Sequence, residues 1–498
     1  MTIPDEEPKS LTWIEAITPI AALIVLIGLS YYLFGDAGAD GPIQVALVAA
    51  TMIAIIIAWR RGHTLDALRE SAIASVSSGM GAIFILFGVG ALIGTWAMSG
   101  TLLAMIYYGL QLLSPNFFYM TAALICAAVS ACIGTSWTVV GTIGVGLMGI
   151  SQNMEMNPAI TAAAVISGAY FGDTASPVSG SPNLAAAAAG AELYDNVRET
   201  FVISAAALVI SLVVFALLGR PGDFDASAKM AAIEGTFRMS PVLFLPLVVV
   251  AGFALLRTPP FTAIFLGALA GGVLAVFVAP ERVMAFAGAP DGTPRWLALL
   301  KGVWLALASG YVSTTGQPMI DQLVTRGGMA SMLQTIWLII AALAFGGVVE
   351  KAGILERLIA PVIAAAKSAG ALVTFLVGSV LVTNVATADQ YIAIVLPGRM
   401  FKAAFAQRGL APVVLSRTIG ASATPTSALV PWNSCGAFMA ATLGVSAFSY
   451  LPYAVFNIAS PLIAIAMVFA GWRTRTASTE SVQSPARLPS SNPALRDL

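Results

Sequence analysis

Long apolar segments constrain the fold of this 498-residue chain more than any other feature of its sequence. Six such segments lie at 14–34, 42–59, 201–218, 241–256, 261–279 and 450–472. As helices, they are long enough to cross a hydrocarbon core about 30 Å thick. A transmembrane barrel would show short alternating segments instead. Only 10% of the residues are charged, against roughly a quarter in soluble domains. The sequence therefore predicts an all-α membrane protein.

The charge, the cysteines and the histidine content exclude several classes of function. The net charge is zero, which indicates no nucleic-acid partner. Cys126, Cys132 and Cys435 lack metal-ligand spacing, so packing is their expected role. The sequence has no histidine cluster, metal motif or nucleophile–base set at membrane depth, so neither an enzyme nor a bound cofactor is expected. Membrane lipid and a small ion or small-molecule substrate are the expected partners.

An internal repeat occurs at an offset of about 253 residues. The matching features are the glycine spacing at 94–100 and 347–353, Ser136 with Asp389, SPVSGSPN at 176–183 with TSALVPWN at 426–433, and the final spans at 201–218 and 450–472. The predicted units are a first repeat at 1–219, a linker loop at 220–238, a second repeat at 239–475 and a disordered, Ser- and Pro-rich tail at 476–498.

Basic residues indicate that the two repeats are inverted. The stretch 98–115 has no Lys or Arg, whereas its counterpart contains Lys351, Arg357 and Lys367. Because positive residues mark the cytoplasmic side, equivalent loops are expected on opposite faces of the membrane. We expect about five transmembrane spans plus one re-entrant hairpin per half, with both termini on the cytoplasmic side of the bacterial inner membrane. The third span is expected at 72–97, and the hairpins at 117–150 and 373–400.

Two irregular stretches, 172–183 and 420–436, interrupt apolar segments with Pro and Gly. They predict broken helices at mid-membrane, because irregular backbone is stable there only around a cavity. The N-terminus of a half-helix attracts anions, and the carbonyls freed by a break bind cations. The alternative is that each break is only a structural kink. The polar side chains expected to bind substrate at the breaks and hairpin tips are Thr135, Ser136, Ser176, Ser179, Ser181, Asn183, Thr387, Thr424, Thr426, Ser427 and Asn433.

Asp173 and Asp389 are the carboxylates expected at central membrane depth, one in each half. Burying a charged acid there costs on the order of 3 kcal/mol, which favours a functional reason for keeping it. Each is predicted to bind a metal cation or to carry a proton. Capping the N-terminus of a broken helix is the alternative role.

The segments around these residues resemble the NhaC-type sodium/proton antiporter family, within the broader ion transporter superfamily. The resemblance runs from about residue 70 to 465 and is carried by SGAYFGD at 167–173, ADQYIAIVLPGRMF at 388–401, LSRT at 415–418 and PWNSCGAFMAATLG at 431–444. It implies a secondary active transporter that exchanges Na⁺ for H⁺ by alternating access; some relatives exchange malate for lactate. Many relatives of this architecture dimerise, so the resemblance also raises a homodimer as an expectation.

Departures from the family pattern keep a second function open. Thr174 stands where relatives carry Lys, Gly180 stands for a second Asp, and Gly420 and Ala421 stand for an acidic pair. A site with fewer acids is a poorer cation cage and a better host for an anion. The alternative is therefore a Na⁺- or H⁺-coupled carboxylate or amino-acid transporter. A channel agrees less well with a broken helix in each half.

Overall fold

The computed structural model describes residues 9–35, 41–219, 227–237 and 239–473, and these residues are almost entirely helical. The helices of the first part are α1 (Trp13–Phe34), α2 (Pro42–Arg60), α3 (Leu65–Ser78), α4 (Met80–Ser99), α5 (Thr101–Leu112), α6 (Phe118–Ile133), α7 (Ser136–Val139), α8 (Val145–Asn153), α9 (Pro158–Ala175), α10 (Gly180–Ala189), α11 (Leu193–Leu217) and α12 (Ser227–Thr236).

The second part contains a comparable number of helices. They are α13 (Leu245–Leu255), α14 (Pro260–Val278), α15 (Pro280–Ala287), α16 (Arg295–Ser309), α17 (Pro318–Val324), α18 (Leu333–Lys351), α19 (Ile354–Ala365), α20 (Ala369–Thr387), α21 (Gln390–Gln407), α22 (Pro412–Ser427), α23 (Ser434–Leu443), α24 (Ala447–Tyr450) and α25 (Val455–Phe469). The pairing of extended chain among the described residues is a single antiparallel bridge between Tyr311 and Arg326.

Eight helices in the described part of the chain are long and apolar enough to cross a membrane. They are α1, α2, α4, α6 with its leading turn, α11, α14, α18 with its leading turn, and α20. Many of their large apolar side chains face outward, as lipid-facing surfaces require; Ile14, Tyr32 and Phe277 are examples. The prediction of an all-α, multi-pass membrane protein is confirmed.

The helices from α4 to α10 recur in order, and nearly in length, from α18 to α23. The two sets contact each other, because α10 of the first set packs against α21 and α22 of the second. In each set a long helix turns back at a short tip, and a helix broken near its middle follows. The two tips and the two breaks lie around one cavity.

The predicted third span at 72–97 is wrong as a single helix, because the chain forms α3 and α4 with a break at Gly79. A Cβ at Gly79 would lie 2.2 Å from Leu343 Cδ1 on α18. Glycine at this position thus leaves room for the Leu343 side chain from another helix. The predicted linker at 220–238 includes helix α12, while 220–226 and 238 lie outside the described residues, as does the tail at 476–498.

Candidate functional site

The two hairpin tips share one backbone conformation. Gly134 and Ala388 each adopt the left-handed region, with φ of 78° and 58°. Thr135 and Asp389 follow in extended conformation and precede a helix. The structure therefore places Thr135 opposite Asp389 in the repeat, and the predicted match of Ser136 with Asp389 is one residue out of register. Glycine adopts this conformation freely, whereas Ala388 is held there by its surroundings.

The two helix breaks also share a capping arrangement. Ser179 caps α10 by accepting a hydrogen bond from the Ser181 backbone N–H at 3.2 Å. Asn433 caps α23 by accepting one from the Cys435 N–H at 3.0 Å. Ser179 is thus the structural counterpart of Asn433, and the predicted pairing of Asn183 with Asn433 is wrong. Asn183 lies beyond the cap, within α10.

Asp173 is the acceptor at the centre of the first tip and break. Its Oδ2 accepts from the Ser136 hydroxyl at 2.6 Å, across from the hairpin. Its Oδ1 accepts from the Ser179 hydroxyl at 2.6 Å and from that of Ser181 at 3.3 Å. The residue is only 6% exposed. Three of the predicted polar side chains therefore converge on one of the predicted acids.

Gln390 takes the corresponding place at the second tip and break. It follows Asp389 as Ser136 follows Thr135, and its Oε1 accepts from Ser427 Oγ at 3.3 Å and from Cys435 Sγ at 3.2 Å. Sequence reasoning missed Gln390, and it assigned Cys435 to packing alone. The acceptor in this half is a neutral amide.

Asp389 caps a helix, as the alternative role expected, but the helix is α21, which follows the tip, and not a broken helix. Its Oδ1 accepts from the backbone N–H groups of Tyr391 at 2.6 Å and Ile392 at 3.0 Å. The side chain of Asp389 is 7% exposed. Its second oxygen has no hydrogen-bond partner in the part of the chain that the structure describes, and the residue faces a cavity. A capping contact and a free oxygen thus coexist on one carboxylate.

A cavity of about 400 Å³ lies between the two tips and the two breaks. Five of the predicted residues line it: Thr135, Asp173, Ser179, Ser181 and Asp389. The structure therefore brings both predicted acids to one space, together with part of the predicted hydroxyl set.

Several lining residues were not predicted. The Thr138 hydroxyl is buried and has no hydrogen-bond partner among the described residues, so it is available to a ligand. Ser78 reaches the cavity because α3 ends there, and exposed Arg257 lies at its edge between α13 and α14. Arg257 could have been found from the sequence, because it is an isolated Arg between two apolar segments. The position of Ser78 depends on the unpredicted break at Gly79.

The other first-half residues of the predicted set stabilise the break from outside the cavity. Ser176 donates to the Ala131 carbonyl at 3.0 Å and so holds the break against the hairpin. Asn183 is exposed and donates to the Ser179 carbonyl at 2.7 Å. Their observed contacts are structural.

The corresponding second-half residues are buried behind the cavity wall. Thr387 donates to the Thr383 carbonyl at 2.8 Å. Thr426 accepts from the Asn384 amide at 3.0 Å, and Asn433 donates to the Asn384 carbonyl at 3.2 Å. The buried Thr424 hydroxyl has no hydrogen-bond partner within the described ranges.

Each hairpin is bonded to its broken helix at an equivalent point. Ser130 donates to the Ala169 carbonyl at 2.5 Å, and Asn384 donates to the Ala423 carbonyl at 2.9 Å. A backbone carbonyl in mid-helix is already bonded along the helix, so the extra donor fixes the hairpin without breaking the helix. The two halves use different donors for the same contact.

A buried ion pair stabilises the wall behind the second break. Arg417 on α22 donates to Glu199 on α11 at 2.7 Å, and both side chains are 1% exposed. Removing one partner from such a pair would leave an uncompensated charge. Neither residue lines the cavity, so the arginine of the LSRT segment has a structural contact here.

The chemistry of the cavity suits a hard cation or a proton. Among the described residues, no three His, Cys, Asp or Glu side chains are grouped to hold a metal ion. The available ligands are carboxylate, hydroxyl and amide oxygens, which prefer hard cations over soft transition metals. The cavity thus provides charge at Asp173 and Asp389 with neutral oxygens around them.

Comparison with known proteins identifies related transporters. Residues 168–472 match the model of the Na⁺/H⁺ antiporter family. A Na(+)/H(+) antiporter NhaC from Alkalihalophilus pseudofirmus is 34% identical over 432 residues, which cover 86% of this chain and 90% of that protein. An arginine/ornithine antiporter ArcD from Halobacterium salinarum is 32% identical over 92% of each chain. A malate-2H(+)/Na(+)-lactate antiporter from Bacillus subtilis is 30% identical over 93% of this chain and 96% of that protein.

Proposed function

Because this chain is a multi-pass membrane protein of the Na⁺/H⁺ antiporter family, and thus a secondary-active antiporter, we propose that it exchanges Na⁺ for H⁺ across the bacterial inner membrane by alternating access. The observation that carries the proposal is the cavity that holds both Asp173 and Asp389. The Na⁺/H⁺ exchange that the first relative is named for supports the same substrate pair.

The contacts of Asp173 suit an exchange of one cation for another. In the structure three hydroxyls donate to the carboxylate. A rotated hydroxyl can instead offer its lone pairs to Na⁺. A proton on the carboxylate removes the charge that attracts Na⁺. Because Na⁺ and H⁺ compete for the same oxygens, each excludes the other, which is the requirement for coupled exchange. The unpaired Thr138 hydroxyl adds a further oxygen at the cavity wall.

An inverted repeat with two re-entrant hairpins is part of the proposal. The recurring helix order supports it, as do the equivalent bonds from Ser130 and Asn384. The hairpins would be α6–α8 and α20–α21. The excess of Lys and Arg in alternate loops supports cytoplasmic termini. In this topology the loop of Arg257 is cytoplasmic, so the cavity would be open to the cytoplasm at that residue.

The test is sodium uptake driven by a pH gradient in proteoliposomes. We expect Asp173→Asn and Asp389→Asn each to abolish uptake while the proteins still fold. Asp66→Asn, an exposed acid in α3, is the matched control and should retain uptake. Normal sodium exchange in both cavity variants would refute the proposed role of the carboxylates.

A coupled carboxylate or amino-acid exchange is the second candidate, and Arg257 favours it. A guanidinium at the edge of the cavity can bind a carboxylate, and about 400 Å³ accommodates a small organic acid. Two relatives are named for exchange of arginine and ornithine or of malate and lactate. Counterflow of malate, lactate or arginine that is saturable and lost in Arg257→Gln would support it. Sodium exchange by wild type without counterflow of any of these organic substrates would reject it.

A further inference from the structure

A groove of about 450 Å³ lies between α10 and α21, on the side facing away from the central cavity. Apolar and basic side chains both line it. They are Leu184, Ala187 and Ala188 from α10, and Val395, Arg399 and Lys402 from α21. On each helix they recur at three- and four-residue intervals, so they form one continuous face.

The groove has an apolar end and a basic end. A Cβ at Gly398 would lie 2.9 Å from the Ala188 Cβ, and one at Gly190 would lie 2.8 Å from Lys402 Nζ. Later residues of α10 therefore lie beside later residues of α21, and the helices run in the same direction. Both helices begin at the central cavity. The apolar residues thus lie at the deep end of the groove, and the basic residues lie near the ends of the helices.

Both cations lack a partner in the part of the chain that the structure describes. Arg399 and Lys402 are exposed and form no hydrogen bond or ion pair there. Glu350 on α18 is within electrostatic range of Arg399 but forms no ion pair with it. A guanidinium offers paired donors to a phosphate, and an ammonium adds a point charge. Two free cations above an apolar groove match the chemistry of an acidic headgroup on an acyl chain.

We propose that this groove binds one anionic phospholipid. Its phosphate lies between Arg399 and Lys402, and an acyl chain follows Leu184 and Val395 towards the middle of the membrane. Because α10 and α21 begin at the ion cavity, a lipid between them also constrains the spacing of the helices that form the site. The proposal concerns a lipid site and does not depend on which ion is transported.

Native mass spectrometry of the purified full-length protein with phosphatidylglycerol or phosphatidylcholine tests the proposal. We expect wild type to prefer phosphatidylglycerol and Arg399→Gln/Lys402→Gln to bind it roughly 30-fold more weakly, since each basic residue contributes about 1 kcal/mol towards an anionic lipid. Arg357→Gln/Lys367→Gln removes two exposed basic residues that do not line the groove and should leave the preference intact. Equal loss in both double variants would overturn a specific site.

A free anion is distinguished from a lipid by a second variant and a second probe. Ala187→Trp fills the apolar part of the groove and keeps both charges, so it should weaken phosphatidylglycerol binding. Inorganic phosphate alone should not raise the thermal midpoint of wild type. Stabilisation by phosphate to the same extent as by phosphatidylglycerol, with binding unaffected in Ala187→Trp, would replace the lipid by a soluble anion.

Discussion

The two halves of the molecule form the same polar junction around different acceptors. In the first half, the Asp173 carboxylate accepts three hydroxyl hydrogen bonds from the hairpin tip and the broken helix. In the second half, the Gln390 amide oxygen accepts from Ser427 and Cys435. The backbone arrangement is duplicated, but the charge is not. The polar junction itself is therefore charged in the first half and neutral in the second, where the carboxylate of Asp389 lies one residue away from the amide of Gln390.

The carboxylates of the two halves also differ in how they are held. Asp173 is bonded mainly by the hydroxyls of Ser136, Ser179 and Ser181, which can rotate away from it, and the Ser136 backbone N–H adds one fixed donor. Asp389 is bonded by backbone N–H groups, whose direction is set by α21. A rotating donor can give way to a bound cation, whereas a fixed one cannot. We therefore expect Asp173 to be the carboxylate that exchanges its ligand, and Asp389 to add charge from a fixed position.

The largest expected effect comes from moving the charge between the junctions. Asp173→Asn should lower sodium transport more than about 100-fold, because a carboxylate attracts a cation 3 Å away by about 5 kcal/mol at an effective dielectric constant of 20. The double variant Asp173→Asn/Gln390→Glu places a carboxylate at the second junction. We expect the double variant to transport sodium at least about tenfold faster than Asp173→Asn. Uptake of sodium in proteoliposomes measures both.

Gln390→Glu alone is the control for the double variant, since it adds a carboxylate at the second junction and keeps Asp173 at the first. If the double variant folds but transports no better than Asp173→Asn, the junctions are not interchangeable, and the side of the cavity that carries the charge matters as much as its presence.

A smaller effect is expected for the two bonds between hairpin and broken helix. The Asn384 side chain donates to the Ala423 carbonyl and to Thr426 Oγ1, and its Oδ1 accepts from the Asn433 amide at 3.3 Å, so Asn384→Ala should destabilise the fold by about 3 kcal/mol. Ser130 makes a single such bond, and Ser130→Ala should cost about 1 kcal/mol. Thermal midpoints of the purified variants test the order. Equal losses would mean that the extra bonds of the second half contribute little.

The junction donors themselves give the next effect. Ser136→Ala removes a 2.6 Å hydrogen bond to a carboxylate, which is worth about 2 kcal/mol. Ser427→Ala removes a hydroxyl whose one hydrogen is shared between the Thr424 carbonyl at 2.7 Å and the Gln390 amide oxygen at 3.3 Å; both acceptors are neutral, so the loss is worth about 1 kcal/mol. Chemical unfolding of each variant in detergent measures the difference. A greater loss for Ser427→Ala would contradict the view that the charged junction is the more tightly bonded one.

Residue chemistry was sufficient to predict the helical class, the turns at Gly134 and Ala388, and the two helix breaks. Long apolar segments and clustered Pro and Gly act locally, so their consequences follow from the sequence. The break at Gly79 did not follow, because an isolated glycine in an apolar segment is tolerated inside a helix, and its contact with Leu343 from another helix is set by the fold. The same limit applies to Ser78, which reaches the cavity only through that break.

Both acids that face the cavity were predicted, because buried carboxylates are rare enough to be informative. The residue-by-residue alignment of the two halves was not predicted correctly. Asn183 and Asn433 share a letter and a neighbouring proline, yet the capping residue is set by backbone conformation, which makes Ser179 the partner of Asn433. Gln390 was missed because an uncharged side chain next to an acid carries no compositional signal.

The smallest expected effect concerns the connections that lead into α4 and α18. Gly79 alone separates α3 from α4, whereas residues 310–332 precede α18. The longer connection is held by Asp321, which accepts from the Thr315 hydroxyl at 2.6 Å and the Ser313 hydroxyl at 2.7 Å. These bonds lower the pKa of Asp321 from 3.8 to about 2.

Because the folded pKa is the lower one, this stabilisation is present above pH 3.8 and is lost as the pH falls through about 2. The protection of residues 310–328 against hydrogen exchange, taken relative to the intrinsic exchange rate at each pH, should therefore be high at neutral pH in wild type and fall towards pH 2. Asp321→Asn should show faster exchange already at pH 7, with less further change on acidification. Asp291→Asn, in the exposed turn before α16, should behave as wild type. Exchange in Asp321→Asn that matches wild type at every pH would mean that this carboxylate does not hold the connection between α16 and α18. The connection would then be held by its contacts with α4, such as the hydrogen bond that the Gly328 N–H donates to the Gly90 carbonyl.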